Sequence, residues 1–307
     1  MDKTKIICVV GATASGKTAL GVELAKEFNG EIISADSMQV YKGMSVATAA
    51  ADENERQGIE HHLLEFLQPE ESFSVADFVR LANEKIAQIT ARGHLPVIVG
   101  GTGLFIDSLA QNITFADVPV NEKLRNELNE KTTDELYELL LKADESAAKN
   151  IHKNNRKRVI RALELCYGGT TKTMQNHCSR LKESPYDPLY IGINYADRAV
   201  LYDRINRRVD LMVEKGLIDE ARQFENNCGV TSRQAIGHKE LQPYFNGDIT
   251  LDEALSNIKQ STRRYAKRQL TWFRKNEKIN WLYADEMSDS ELISRAQALV
   301  REFLKNS

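Results

Sequence analysis

A glycine-rich motif near the amino terminus constrains the fold of this chain more than any other feature. Residues Gly11–Thr18 read G-A-T-A-S-G-K-T and match the phosphate-loop pattern G-x-x-x-x-G-K-S/T without a gap. The apolar run Ile6–Val10 before the motif is typical of a buried parallel strand, and Lys17–Phe28 has the apolar spacing of a helix. A strand, a phosphate loop and a helix in this order predict a P-loop NTPase-like α/β core.

The alternation of strand and helix continues after the motif. Glu31–Ala35 and Leu95–Val99 read as two further strands, and Val75–Arg92 between them reads as a helix closed by a glycine. This order predicts a parallel sheet with helices on both faces. Ligands of such sheets bind beyond the carboxyl ends of the strands. Three polar residues are expected there: Lys17, Asp36 and Thr102.

The character of the sequence changes beyond about Phe115. Residues 119–166 are highly charged with leucines at helical spacing, and residues 172–188 are polar with two prolines, which predicts a loop-rich segment. A strand-like run returns at Leu189–Ile193, and helical patterns dominate from Asp197 onward. The predicted organisation is an α/β core with C-terminal helices, built from 1–114 and 189–307, and an inserted, mainly helical domain at 115–188.

Charge and composition restrict the partners. The 307 residues include 41 basic and 44 acidic side chains, a net charge of −3, yet Lys149–Arg161 contains no acid and Lys259–Lys278 contains only one. Such local basic stripes suit a polyanion better than the total suggests. The four cysteines and six histidines lack metal-site spacing. No run of about 18 apolar residues and no signal peptide is present, so we expect a cytoplasmic protein without membrane contact. We also expect a monomer.

The chemistry of the phosphate loop follows from its residue types. Glycines let backbone N–H groups turn inward around phosphate oxygens, and the helix that follows adds a partial positive charge. Lys17 supplies a full charge, and the Thr18 hydroxyl can bind a Mg²⁺ ion that bridges the phosphates. The predicted diphosphate-binding residues of the loop are Gly11, Ala12, Thr13, Ala14, Ser15, Gly16, Lys17 and Thr18.

The acid expected of an ATPase is missing from the third strand. A P-loop ATPase places an aspartate at the end of such a strand to hold Mg²⁺, but Leu95–Val99 ends in Gly-Gly-Thr-Gly. Asp36, after the second strand, is the acid near the predicted cradle. It could act as a general base, as a Mg²⁺ ligand, or as a helix cap, and the sequence leaves these roles open.

A set of motifs in the same order resembles the bacterial tRNA dimethylallyltransferases, which are also called tRNA isopentenyltransferases. The resemblance covers nearly the whole chain, and the combination of the phosphate loop with D-S-M-Q and G-G-T-G makes it specific. The matching segments are Gly11–Thr18, Ser34–Tyr41, His61–Leu63, Val97–Leu104, Asn155–Leu163, Ala235–Glu240 and Arg263–Phe273.

The resemblance implies an activity and its partners. The family transfers a dimethylallyl group from dimethylallyl diphosphate to N6 of the adenosine 3′-adjacent to the anticodon, in tRNAs that read codons starting with U. Mg²⁺ is the implied cofactor, and the tRNA anticodon stem-loop and dimethylallyl diphosphate are the implied partners. The implied catalytic residues are Asp36 as base, Thr102 near the reacting amine, and Lys17 at the leaving group.

The family also implies the residues that contact tRNA. Gln39 has an amide that can pair with an adenine edge, and the basic residues are expected to meet phosphates. The residues implied are Asp36, Ser37, Met38, Gln39, Thr102, Arg125, Lys157, Arg158, Val159, Ile160 and Arg161. Arg233 is a further expected partner of the diphosphate. The aromatic residues of Arg263–Phe273 have helical spacing, which favours a core position over base stacking.

Two departures and three alternatives accompany this interpretation. Ala47–Ala51 stands where the family usually has G-T-A-K-P, so a loop lysine and proline are missing, and His238 stands where a tyrosine is common. A P-loop kinase or ATPase would share the cradle but needs the missing acid. An adenine-nucleotide isopentenyltransferase would need no basic insertion. A non-catalytic RNA-binding protein would not require Lys17, Thr18 and Asp36 together.

Overall fold

The computed structural model describes residues 3–113, 115, 118, 121–180, 183–225 and 227–306. The chain divides into two compact units, Met1–Ala110 with Pro185–Ser307, and Gln111–Ser184. The helices are α1 (Lys17–Glu27), α2 (Ser45–Thr48), α3 (Glu53–Arg56), α4 (Val75–Ala91), α5 (Gly103–Ala110), α6 (Glu122–Glu130), α7 (Thr133–Ala143), α8 (Glu145–Asn150), α9 (Arg156–Tyr167), α10 (Lys172–Arg180), α11 (Arg198–Glu214), α12 (Leu217–Gln223), α13 (His238–Phe245), α14 (Leu251–Phe273) and α15 (Asp289–Lys305).

The first unit is built on a six-stranded sheet in which all the pairs are parallel, so the predicted α/β class is confirmed. Along the sheet the order is β3-β2-β4-β1-β5-β6. The run Ile6–Val10 is completely buried, as expected of a strand covered on both faces. The strands are β1 (Thr4–Gly11), β2 (Gly30–Ser34), β3 (His61–His62), β4 (Leu95–Gly100), β5 (Tyr186–Asn194) and β6 (Ile279–Tyr283).

The strand order brings the three polar loops together. β4 lies between β2 and β1, and the register sets Val10 opposite Gly100 and Ser34 opposite Val99. Parallel strands end at the same edge of a sheet. The loops that follow β1, β2 and β4 are therefore neighbours, and they carry the phosphate loop, Asp36 and Thr102.

Helix caps in the first unit follow the local sequence. Ser74 begins α4, Thr250 begins α14 and Ser288 begins α15, each with an acid three residues later that returns the hydrogen bond. These capping boxes satisfy two amide donors at each helix start. Among the described residues, no helix is both long and apolar enough to cross a membrane.

The second unit, Gln111–Ser184, contains α6 to α10. Its core is a cluster of buried aliphatic side chains from α6, α7 and α9, including Leu128, Leu140 and Leu163. The prediction of a loop-rich segment at 172–188 is wrong for its first half, because α10 occupies Lys172–Arg180. The side chain of Thr171 accepts a bond from Met174 N, which begins that helix despite its polar composition.

Two strands of the first unit were also misjudged from the sequence. β5 starts at Tyr186, three residues before the predicted run, although it includes Pro188. β6 pairs with β5 only from Tyr190 onward, so Pro188 needs no donor toward β6. β6 itself lies within the region predicted to be helical, because its five residues are too short to give a clear alternation.

Candidate active site

The phosphate loop has the backbone that its glycines predict. Gly11 has φ of 150°, and a Cβ there would lie 2.6 Å from Ile193 O. Gly16 has φ of 97° and precedes α1 directly. Both positions disfavour any side chain, Gly11 by space and Gly16 by conformation. The loop therefore turns tightly from β1 into the amino end of α1, which is the arrangement that binds anions.

Lys17 lies at the centre of this loop. Its Nζ donates to Ala12 O at 2.6 Å, and the side chain is half-buried. Burial is the largest effect on its pKa and, with the neighbouring Arg208, lowers it to about 7, while Asp36 acts in the opposite direction. An anion bound in the loop would favour the charged form of this lysine.

A cavity of 980 Å³ opens beside the loop. Its walls include Lys17 and Thr18 from the phosphate loop and Asp36 from the loop after β2. Ser15 also lines the cavity, and its buried Oγ has no hydrogen-bond partner among the described residues. Buried hydroxyls normally have a partner, so this one marks a place for a ligand oxygen.

Asp36 uses one carboxylate oxygen to shape its own loop. Oδ1 accepts from Met38 N at 2.9 Å and from Gln39 N at 3.4 Å, a turn typical of aspartate. Oδ2 accepts no hydrogen bond from the part of the chain that the structure describes. The described residues that follow Asp36 form a turn and not a helix, so the helix-cap role left open by the sequence is wrong: one oxygen closes the turn, and the other is available for chemistry.

The turn after β4 lies against the Asp36 loop. A Cβ at Gly100 would lie 2.2 Å from Ala35 O, so only glycine fits. Thr102 N donates to Ala35 O at 3.2 Å, and Thr102 Oγ1 accepts from Ser37 N at 3.2 Å. Tyr265 lies near Thr102; burial, the largest effect, raises the pKa of this tyrosine, while Thr102 lowers it in part. Thr102 is therefore fixed beside Asp36 from two directions.

Gln269 on α14 joins the two glycine-rich loops, which the sequence did not reveal. Its Oε1 accepts from Thr13 N at 2.8 Å, and its Nε2 donates to Gly101 O at 3.0 Å. The side chain is buried, and a Cβ at Gly101 would lie 2.1 Å from Nε2. A single amide therefore sets the spacing between the phosphate loop and the turn that carries Thr102.

Three arginines on α11 also line the cavity and were not among the residues predicted from the sequence. Arg208 donates to Thr13 Oγ1 at 3.4 Å, and Arg204 donates to Ala14 O at 3.2 Å. Burial lowers the pKa of Arg208, and Asp36 opposes that effect. The signal was present as R-x-x-R-R, since Arg204, Arg207 and Arg208 lie on one face of a helix. They add positive charge to the side of the cavity that α11 forms.

Two predicted residues have other contacts. Arg233 is exposed, donates to Cys228 O at 3.2 Å and is absent from the cavity lining, so the structure does not bring it to the phosphate loop. Gln39 does line the cavity, but its Nε2 donates to Thr48 O at 3.3 Å and to Ala49 O at 3.2 Å. Its amide would have to exchange these bonds to meet a base.

The predicted tRNA residues of the second unit divide into three groups. Lys157 and Arg158 are exposed. Arg125 and Arg161 both bond the buried carboxylate of Glu164, at 2.7 and 3.0 Å.

The third group corrects the prediction. Val159 is completely buried and Ile160 is 6 % exposed, so their side chains cannot contact RNA. Both face the aliphatic core because they share a side of α9 with Leu163. The match to a family motif had placed them among the contacts without distinguishing the two sides of the helix.

The Thr18 hydroxyl could hold a Mg²⁺ ion at the cavity. A magnesium ion prefers a few protein oxygens together with phosphates and water, and the half-buried Thr18 hydroxyl offers one such oxygen. Within the described residues, another group of possible metal ligands is Glu31, Glu60 and His62, at the amino end of the sheet. There Arg92 already binds Glu31 at 2.6 Å, so that group is a satisfied ion-pair network.

Fold and site together define a P-loop α/β protein with an anion cradle and a facing carboxylate. The family model for IPP transferase matches residues 39–276. The chain is 46% identical over 297 residues to the tRNA dimethylallyltransferase of Acetivibrio thermocellus, covering 94% of each, and 46% identical over 301 residues to that of Bacillus subtilis, covering 95% of each. The chain belongs to the IPP transferase family.

Solved structures agree with this assignment. The tRNA isopentenylpyrophosphate transferase of Bacillus halodurans is 44% identical, with a TM-score of 0.75, and the alignment covers 99% of this chain and 98% of that one. A eukaryotic dimethylallyltransferase, described as acting on tRNA, is 29% identical with a TM-score of 0.86, covering 99% of this chain and 80% of the other.

Proposed function

We propose that this chain transfers a dimethylallyl group from dimethylallyl diphosphate to N6 of the adenosine 3′-adjacent to the anticodon, in tRNAs that read codons starting with U. The observation that carries the proposal is the cavity that Lys17 and Asp36 both line. A leaving diphosphate needs a positively charged group and an incoming amine needs a base, and Lys17 and Asp36 can supply them there. The names of the relatives support tRNA as the acceptor.

The diphosphate is assigned to the phosphate loop. The amides of Gly11–Thr18, the Lys17 ammonium and the Ser15 hydroxyl would bind its oxygens, and Arg208 would add charge. Thr18 would hold Mg²⁺, which neutralises charge on the diphosphate when bound. The Arg233 prediction is replaced by Arg208, because Arg208 lines the cavity.

Asp36 is the proposed acceptor of the proton that the adenine amine loses. The adenine amine attacks C1 of the allylic group, the C1–O bond breaks, and the electron pair leaves with the diphosphate. The amine then carries an extra proton, which Oδ2 of Asp36 accepts because that oxygen has no other partner among the described residues. Thr102, held by Ser37 and near Tyr265, would orient the amine.

The tRNA is assigned to the loop Asp36–Gln39 and to the exposed basic residues of the second unit. The target base has to leave the anticodon loop to reach Asp36, as is general for enzymes that modify a base. Lys157 and Arg158 would meet phosphates and position the RNA. We further propose that the chain acts as a monomer in the cytoplasm, which light scattering of the purified protein and fractionation of cells would test.

A kinase or ATPase is the main alternative, and the end of β4 argues against it. That strand ends at Gly100, where a Cβ would meet Ala35 O at 2.2 Å, so a carboxylate has no room there. The decisive experiment incubates the protein with an unmodified tRNA transcript and labelled dimethylallyl diphosphate. ATP as the donor and AMP as the acceptor serve as controls. Label in tRNA alone supports the proposal; label in AMP, or ATP hydrolysis without transfer, would refute it.

A further inference from the structure

A buried acid–histidine pair binds the amino end of the short helix α2. The Glu220 carboxylate accepts from Val46 N at 2.8 Å and from Ala47 N at 2.9 Å. His238 Nε2 lies 2.8 Å from the same carboxylate. The residue that precedes α2, Met44, offers no side-chain cap. Glu220, which is distant in sequence, therefore supplies the cap that this helix lacks.

The other end of α2 holds Gln39. Its Nε2 donates to Thr48 O at 3.3 Å and to Ala49 O at 3.2 Å, and its Oε1 accepts from Ser34 Oγ at 3.0 Å. The backbone N–H of Gln39 donates to Asp36 Oδ1 at 3.4 Å. One turn of helix thus connects the buried pair to the loop that carries the proposed base.

The chemistry of His238 fits a donor to Glu220. A carboxylate accepts, so Nε2 carries the proton, and Nδ1 is buried with no partner among the described residues. The imidazole stacks on Phe224, with ring centres 5.9 Å apart and planes 14° apart. Neither Glu220 nor His238 lines the cavity. The stack fixes the ring, and the ring fixes the carboxylate against α2.

We propose that Glu220 and His238 are positioning residues for the acceptor tRNA. They hold α2 and, through Thr48 and Ala49, keep Gln39 and the Asp36 loop in place until the Gln39 amide exchanges these bonds for the target base. The inference depends on the proposed function, because it assigns Gln39 to the tRNA side of the cavity. Ser45, Val46 and Thr48 of α2 line the same cavity as the phosphate loop, but among the described residues that loop receives no hydrogen bond from α2, so we expect the pair to act on the acceptor side.

The test compares two substitutions of His238. His238→Phe keeps a ring on Phe224 but removes the donor, whereas His238→Gln keeps a donor at the position of Nε2. We expect His238→Phe to lower kcat/KM for tRNA about tenfold, since a buried hydrogen bond is lost. The Kd for inorganic pyrophosphate should stay unchanged. Hydrogen–deuterium exchange of peptides covering 44–51 should rise in His238→Phe and return toward wild type in His238→Gln.

A second variant tests the contact between Glu220 and α2 by changing the glutamate itself. Glu220→Gln retains shape but places its amide NH₂ against one of the two backbone donors, while its oxygen can still accept from the other, so it should loosen α2 as His238→Phe does. Tyr244→Phe, on the same helix α13, is the matched control and should leave tRNA kinetics and exchange unchanged.

The outcomes of these experiments distinguish a failure of this inference from a failure of the proposed function. The inference is overturned if His238→Phe keeps wild-type kcat/KM for tRNA, or if His238→Phe and His238→Gln lose activity equally with a shared fall in Tm. A wild-type chain that transfers nothing to tRNA fails the proposed function and this inference with it. A wild-type chain that transfers normally, beside an equally active His238→Phe variant, fails this inference alone.

Discussion

At the residue scale, the proposed chemistry depends on two side chains with opposite requirements. Burial and the neighbouring Arg208 lower the pKa of Lys17 to about 7, against the opposite effect of Asp36. Asp36 has one oxygen bound in its turn and the other without a partner among the described residues. Both residues could be predicted from the sequence. The phosphate-loop motif includes the lysine, and the acid directly follows the second predicted strand. The R-x-x-R-R pattern marked Arg208 as part of a basic helix face, but its position at the cavity depends on where α11 packs.

The lysine gives a prediction for donor binding. Because phosphate binds the charged ammonium, binding must take up a proton when the pH lies above about 7. The affinity for inorganic pyrophosphate should therefore fall as pH rises from 7 to 8.5, by up to about tenfold per pH unit. Isothermal titration calorimetry in buffers of different ionisation enthalpy measures both the affinity and the proton uptake.

Lys17→Arg is the control for this prediction, because arginine stays charged throughout the range. The ionisation of pyrophosphate itself is common to both proteins, so the ratio of their affinities isolates the lysine. Parallel pH profiles for wild type and Lys17→Arg would show that Lys17 does not titrate in the site.

At the element scale, α14 sets the distance between the phosphate loop and the turn after β4. Gln269 has both ends of its amide occupied, by Thr13 N and Gly101 O. The sequence placed this glutamine on a basic helix but could not show which side faces the core. In the same way, the family motif predicted an RNA contact for Val159 and Ile160, but both side chains are buried in the core on the inner side of α9. Motifs identify segments, and packing decides the direction of each side chain.

Gly101 and Gln269 should therefore show strong coupling. Gly101→Ala places a methyl group 2.1 Å from the Gln269 amide, so it should lower the free energy of unfolding by roughly 1–3 kcal/mol. Gln269→Ala loses two buried bonds but makes room for that methyl. The double variant should be less destabilised than the sum of the two single variants. Urea unfolding measures all three.

Thr271→Ala, on the exposed side of the same helix, is the control for this cycle and should not couple with Gly101→Ala. Additive effects of Gly101→Ala and Gln269→Ala would contradict the proposed bridge.

At the scale of the whole molecule, the sequence predicted the architecture better than its details. The parallel core follows from continuous apolar runs and glycine-rich turns, which local pattern reveals. The local sequence pattern did not reveal β6, which is short, or α10, which is polar and capped by Thr171. The strand order β2-β4-β1 is set by packing between distant segments, and it is this order that makes neighbours of Lys17 and Asp36.

The second unit gives a prediction for the binding of tRNA. Lys157→Ala and Arg158→Ala should each weaken tRNA binding and reduce the slope of log K against log salt by about 0.7–0.9, since each removes one phosphate contact. Lys142→Ala, an exposed lysine on α7, serves as the control. Filter binding at several salt concentrations measures the slopes. Slopes that equal the wild-type value in both variants would remove these residues from the interface.

The most direct test of the central claim is single-turnover transfer by Asp36→Asn. Asparagine can still accept from Met38 N, so the loop should keep its turn, but it cannot take a proton. With tRNA and dimethylallyl diphosphate both saturating, the account predicts normal binding of each and a transfer rate lower by about 10²–10⁴. A rate within a fewfold of wild type would contradict the account, because the proton of the amine would then leave without Asp36.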